Sequence, residues 1–466
     1  MLIKNIYVYP TKELQNVYVT DEGRVKILNS GEELPDVLNS INAKGRYTLM
    51  PGMLDSHVHG QGGVDFADVG ALADDEGLPI IAEALGKTGL SYAMATLVSL
   101  PLETLENSLK KINDYVQNQE ENQMPGYTRI IGVHLEGPFI APNCKGAHAL
   151  NALQDSISLE QFKQIIAAAP AIKEWKITLA PDLPGAIDFI QEVKTLEAEG
   201  ISVKVFIGHS NPDKATITKA IDAGAAGFTH LGNACAETCC RETRALEIAD
   251  AKSNLVQWVL ENPEYCPAGV EIITDGVHVS PSFVALLKRT LGEKQVLVTD
   301  ALGPSGLSNG VYKLGSLAIC LDEGSFYLAD EAGNILMKEG TLPDGQKGKV
   351  KSLAGSAAPL SRCVQNYCEW TALADTTDPM DAIYAATVTN PRQSSLSPAA
   401  IARLPDDRNF VVFDKKGRLM MSLCNGKLIE HQPLLLKAGV HVYGLLANSS
   451  VDEKAEPSTP LLATIL

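Results

Sequence analysis

The chain reads as an α/β protein: a (β/α)8, TIM-like barrel with a small β-sandwich domain built from both chain ends. Three observations predict this. From residue 48 onward short apolar runs alternate with segments of helical period, and eight such runs can be counted. That alternation marks a parallel sheet covered by helices. Segments rich in β-branched and aromatic residues flank this region on both sides. Histidines gather at the ends of the apolar runs, where a barrel of this type carries its active site.

Taken in order, residues 1–50 supply short strands at 3–9, 17–20 and 24–28, with Asp21-Glu22-Gly23 as a turn between two of them. The barrel, assigned to 51–400, draws its strands from 48–59, 92–99, 129–137, 176–183, 204–210, 227–233, 270–278 and 295–301. Helical periodicity falls at 78–89, 102–118, 159–168, 184–199, 212–223, 246–260 and 282–291. A Gly- and Asp-rich insertion with hairpin-like pieces occupies 303–351, and helices are expected at 359–374 and 379–387. Strands return at 409–414 and 418–423 around a Lys415-Lys416-Gly417 turn, so 401–448 should complete the small β domain. The polar, proline-containing stretch 449–466 reads as a loose tail.

Composition narrows the function. The 466 residues are 45% hydrophobic and 20% charged, as in a soluble globular protein, and the net charge is −17. An acidic chain is a poor match for nucleic acid or an acidic membrane, so neither is expected as a partner. No apolar run approaches the ~20 residues of a membrane span, and the start, Met1-Leu2-Ile3-Lys4, has no signal-peptide core. Nine scattered cysteines form no regular framework, which predicts free thiols in a reducing, cytoplasmic setting. The Cys235, Cys239, Cys240 group is read as a loop with free thiols, because no second Cys/His pair at zinc-ribbon spacing follows.

The chemistry concentrates at strand ends. His57 and His59 are two apart on the first strand, so their imidazoles share a face and can supply two nitrogen ligands to a metal. Alone, such a pair is weak evidence and is better explained by packing or surface histidines. But the third strand ends in His134-Leu135-Glu136, the fifth in His209, the sixth in His230, the seventh in Asp275-Gly276-Val277-His278 and the eighth in Asp300. With His148 in the loop after strand three, seven of nine histidines lie at one rim, leaving His431 and His441 outside. That clustering points to a metal-dependent hydrolytic site. Asp300 taken alone could equally be a helix-capping carboxylate; for His278 a buried histidine bonded to a backbone carbonyl is the lesser alternative.

These motifs carry a family resemblance. Pro51-Gly-Met-Leu-Asp-Ser-His-Val-His-Gly60, His134-Leu-Glu-Gly-Pro-Phe139, Lys145-Gly-Ala-His148, Gly208-His-Ser210, Thr229-His-Leu-Gly-Asn-Ala234, Thr274-Asp-Gly-Val-His278, Val298-Thr-Asp300 and Leu353-Ala-Gly-Ser356 occur in this order. The chain resembles the amidohydrolase superfamily and, within it, the N-acetylglucosamine-6-phosphate deacetylases. The resemblance implies that Glu136, His209 and His230 hold one divalent metal, with His57 and His59 completing a second position bridged by Glu136. Zinc is expected, with iron, cobalt or manganese also suited to these ligands. It implies that Asp300 is the general base and acid, that His148 polarises the acetyl carbonyl, and that Ala147 lies beside the substrate. His278 would contact the phosphate ester, and Asn233 and Ala234 would offer it backbone donors. Arg241 would reach the phosphate from the neighbouring subunit of a homodimer, although Arg244 competes and the cysteine-containing loop departs from the family pattern. Leu353, Ala354 and Gly355 would close over the sugar, with a glycine turn approaching the ligand; a plain turn before the next helix is the alternative.

The reaction implied is hydrolysis of N-acetylglucosamine 6-phosphate to glucosamine 6-phosphate and acetate. Deacetylation of N-acetylgalactosamine 6-phosphate, another amidohydrolase reaction on an N-acyl or cyclic amide, and a catalytically inert sugar- or protein-binding barrel stand as alternatives.

Overall fold

The computed structural model describes residues 1–432 apart from 30, 38, 74, 123, 236–252, 342–346 and 373–378. Eight parallel strands, Leu54–Val58, Tyr92–Leu97, Arg129–Glu136, Glu174–Leu179, Ser202–Ile207, Gly227–Phe228, Val270–Ile273 and Gln295–Val298, pair in strict sequence order. The first and last strands meet just beyond their regular parts. Asp300 N donates to His57 O at 2.8 Å and His59 N to Ala301 O at 2.8 Å. Asp55 ties the same seam, accepting from Thr299 Oγ1 at 2.6 Å and from His57 N at 3.0 Å. The barrel therefore closes at the point where three of the rim residues stand.

Helices cover the outside as the 3.6-residue period requires. Gly77–Lys87, Leu102–Asn122, Leu159–Ile166, Lys214–Ala223 and Pro281–Leu291 follow or precede their strands. Ser158, Asp213 and Ser280 cap three of them by accepting an N–H three residues on, at 3.2, 2.7 and 3.2 Å. Phe162 packs edge-on against both Trp175 and Phe189, with ring centroids 6.1 and 5.4 Å away. The sixth helix is described over Asn254–Glu261, and the start of the 246–260 prediction lies outside the described residues.

Both chain ends build one further sheet. Leu2–Val8, Glu13–Val19, Val25–Leu28, Ser40–Asn42 and Tyr47–Pro51 join Phe410–Asp414, Leu419–Cys424 and Lys427–Glu430, the joint being the antiparallel pair Tyr47–Pro51 with Phe410–Asp414. Ile6, Val17, Leu49, Phe410 and Leu423 form a core separate from that of the barrel.

Two expectations change. The predicted strand 48–59 is two strands in two sheets. Pro51 lacks a ladder donor, and a Cβ on Gly52 would stand 2.4 Å from Ser91 Oγ, so the chain passes between sheets where only glycine fits. Leu353-Ala354-Gly355 is no turn: Leu353–Ser356 is a strand. It pairs with Ser325–Leu328 in a four-stranded sheet with Gly310–Leu314 and Leu317–Asp322, and bridges to Ala301. Gly355 is required by close packing, since a Cβ there would lie 2.7 Å from Leu302 Cγ and 3.0 Å from Asp300 O. The tail 449–466 lies outside the described residues.

Candidate metal centre at the barrel rim

Glu136 is the hub. It ends the third strand, is buried, and its two oxygens meet five imidazoles. Oε1 lies 3.0 Å from His209 Nε2, 3.0 Å from His230 Nε2 and 3.3 Å from His57 Nε2. Oε2 lies 3.3 Å from both His59 Nε2 and His148 Nε2. Asp300 Oδ1 faces the cluster from the eighth strand, 3.0 Å from His59 Nε2 and 3.5 Å from His57 Nε2. Two groups able to hold a metal result, His57, His59, Glu136, Asp300 and Glu136, His209, His230, with Glu136 common to both. The sequence reading gave Asp300 a proton-transfer role alone; the structure also places it among the metal-competent groups.

The backbone is bent to make this convergence. His209, His230, Ala234 and Asp300 have φ of 47°, 25°, 47° and 52°, a region that non-glycine residues rarely occupy and that gathers at functional sites. The Lys145-to-His148 turn is built against the site. Gly146, at φ 55°, comes so near that a Cβ would stand 3.1 Å from His209 Cε1.

Hydrogen bonds outside the cluster decide which ring atoms face in. The Ser99 N–H donates to His148 Nδ1 at 3.1 Å, so that nitrogen is an acceptor and the proton of the neutral ring sits on Nε2, toward Glu136. Burial pulls the His148 pKa down to about 4 against the opposing pull of Glu136, keeping the ring neutral. His209 Nδ1 lies 3.0 Å from Cys144 O, an acceptor only, so its proton is there and its Nε2 lone pair points inward. His209 Nε2 and His230 Nε2 then face each other at 3.0 Å beside a carboxylate, an arrangement suited to a cation. Burial opposes ionisation of Asp300, yet His59 and His57 hold its carboxyl below the usual range.

His278 is buried and bonded through Nδ1 to Asp275 Oδ2 at 2.8 Å, a carboxylate in place of the backbone carbonyl considered from sequence. Burial works against the Asp275 charge, but His278 and two backbone N–H groups outweigh it and bring its pKa to about 2. Asn233 N is not free for a ligand: it donates to His230 O at 3.1 Å. Asn233 Oδ1 is buried with no partner. Ala147 is half-buried beside His148, and Leu353 and Ala354 are half-buried on the strand that runs past Asp300. Arg241, Arg244, Cys239 and Cys240 lie outside the described residues.

Sequence reasoning missed the layer beneath. Inside the barrel His134 bonds Thr178 Oγ1 at 2.8 Å, and Lys176 pairs with Glu271, both wholly buried. Burial and the nearby Lys176 charge press the His134 pKa well down, so it is a neutral spacer under His57. The signal was present in the alternation of Lys176, Thr178 and Ala180 along one strand, which places a lysine on the inward face.

An eight-stranded barrel with a histidine–carboxylate cluster at the carboxyl ends of its strands defines an amidohydrolase. No protein-family model matches the chain. The N-acetylglucosamine-6-phosphate deacetylase of Vibrio furnissii is 30% identical over 356 residues, 76% of either chain. That of Bos taurus is 29% identical over 403 residues, 83% of this chain and 84% of its own. An N-acetylgalactosamine-6-phosphate deacetylase from Shewanella is 31% identical over 319 residues, 68% of either chain. Among solved structures, a mutant Mycobacterium smegmatis N-acetyl-D-glucosamine-6-phosphate deacetylase in complex with N-acetyl-D-glucosamine-6-phosphate superposes with a TM-score of 0.69 at 25% identity, covering 92% of this chain and 98% of that one. The Pasteurella multocida enzyme shares the fold at the same TM-score and 22% identity, covering 92% and 99%. The chain belongs to the N-acetylglucosamine-6-phosphate deacetylase family.

Proposed function

We propose that the chain hydrolyses N-acetylglucosamine 6-phosphate to glucosamine 6-phosphate and acetate. The observation that carries the reading is one carboxylate, Glu136, shared by two metal-competent groups, with Asp300 and the His148 N–H on its flanks. Glu136, His209 and His230 would hold one divalent ion, and His57 and His59 would complete a second position, with zinc the expected metal. A bound ion supplies Lewis acidity and brings the pKa of its water toward ~7.

The protein groups do the rest. Asp300, ionised at neutral pH, accepts the proton of the attacking water and returns it to the leaving amine nitrogen. His148 donates Nε2–H to the acetyl oxygen as negative charge develops there, its tautomer held by Ser99. His278, oriented by Asp275, turns its other nitrogen to the phosphate ester. The Ala234 N–H, which makes no hydrogen bond among the described residues, is the backbone donor left for the phosphate, with Asn233 contributing its side chain. Ala147 and the 353–355 strand border the sugar. Arg241 is the phosphate cation, reaching across a homodimer interface in a cytoplasmic enzyme. Metal-loaded protein should release acetate from this substrate and lose the activity on chelation or on Asp300→Asn; full activity after both defeats the reading.

The Shewanella relative favours a second reading, the same chemistry on N-acetylgalactosamine 6-phosphate. Turnover of the two epimers side by side separates them.

A further inference from the structure

Beneath the rim lies a charged pair that the deacetylation scheme does not use. Lys176, from the fourth strand, and Glu271, from the seventh, are wholly buried and joined through Nζ and Oε1. Lys176 Nζ also donates to Ser56 O at 3.2 Å and sits 4.4 Å from the centroid of the Phe206 ring. Ser56 Oγ donates to the same Oε1 at 3.0 Å. Both donors thus satisfy one carboxylate oxygen, and Oε2 has no hydrogen bond. That oxygen faces His57 Nδ1 at 3.6 Å, and His57 Nδ1 also has none. An acceptor and a ring nitrogen able to donate, both buried, stand a few tenths of an ångström outside hydrogen-bond range.

We infer that Glu271 is the positioning residue for His57: its Oε2 accepts the Nδ1 proton and so turns the Nε2 lone pair toward Glu136 and Asp300. Lys176, bonded to Oε1, anchors the Glu271 carboxylate beneath the ring. Ser56 fixes which of its oxygens is left for the ring. The effect is selective between the two metal positions, because His209 has its own acceptor in Cys144 O. Carboxylates that orient a ligating histidine typically govern metal affinity by ~10–100-fold. The inference rests on the metal reading proposed above.

The test is zinc binding, measured by competition with a chromophoric chelator, on wild type, His57→Gln, Lys176→Met/Glu271→Leu and Lys176→Met/Glu271→Gln. Removing both charges avoids stranding an unpaired one. The Met/Leu variant should lose ~10–100-fold in affinity for the ion that His57→Gln loses, and hold the other as wild type does. The Met/Gln variant, whose amide oxygen can still accept from Nδ1, should recover part of that loss. Zinc-loaded wild type should also show a downfield, exchange-protected imidazole N–H resonance that is missing from His57→Gln and from the Met/Leu variant. Wild-type affinity for both ions in the Met/Leu variant overturns the inference, as does equal weakening of both, which marks general loosening of the barrel. A wild type that takes up no zinc overturns the metal reading, and this inference with it.

Discussion

Lys176→Met alone should be far more damaging than Lys176→Met combined with Glu271→Leu. Both side chains have no solvent exposure, so the single change leaves a carboxylate in the dry interior without its cation, facing only Ser56 Oγ at 3.0 Å and His57 Nδ1 at 3.6 Å. Breaking a buried pair from one side typically costs ~3–5 kcal/mol, whereas replacing both partners with apolar groups of similar volume is close to neutral. The Phe206 ring, 4.4 Å from Nζ, loses a cation contact of ~1 kcal/mol in either case. An unfolding entropy of ~2.1 cal/mol/K per residue gives ~1 kcal/mol/K for 466 residues. The single variant should therefore melt ~3–5 °C below wild type, and the double variant within ~2 °C of it. Differential scanning calorimetry of metal-free protein at pH 7.5 reads this directly. Equal melting points for the single and double variants would show that the pair is not coupled, and the account of the barrel interior would fail.

Asp300→Asn should lower kcat by ~10²–10⁴-fold with substrate affinity largely kept, since the amide cannot take the proton; near-normal turnover removes Asp300 as the base. Glu136→Gln should strip the bound metal, because both groups share that carboxylate, and elemental analysis showing a full complement would undo the assignment. Gly146→Ala forces an L-residue into φ 55° against the His209 ring and should cost ~1–2 kcal/mol, with weakened metal retention; unchanged melting and metal content would contradict the tight packing of that turn. Asp275 has a folded pKa of about 2, below its ordinary 3.8, so its contribution is full above about pH 4 and is lost as pH falls through 2. The stability gap between wild type and Asp275→Asn should shrink over that window, and a gap constant from pH 5 to 2 would deny the His278 pairing.

The rim was legible because its signals are local. A histidine pair two apart, or a Glu at a strand end, keeps its meaning whatever the surroundings, and strand order followed from the alternating pattern. What stayed hidden depends on packing across sequence distance. The split at Pro51-Gly52 is set by Ser91 and Asn409, far along the chain. Leu353-Ala354-Gly355 looks like a turn because of its glycine, yet that glycine answers to Leu302 and the Asp300 carbonyl. Strand alternation turns Lys176 inward, but its partner Glu271 lies 95 residues away and is placed opposite it only by the fold. The left-handed backbone at His209, His230 and Asp300 has no sequence mark, because only the convergence on Glu136 accounts for it.

The central claim is tested most directly by acetate release from purified, metal-analysed protein given N-acetylglucosamine 6-phosphate and unphosphorylated N-acetylglucosamine in parallel. The account predicts rapid release from the phosphorylated sugar and little from the other, with one or two ions per chain. Equal rates on both sugars, or none on either with metal bound, would contradict it.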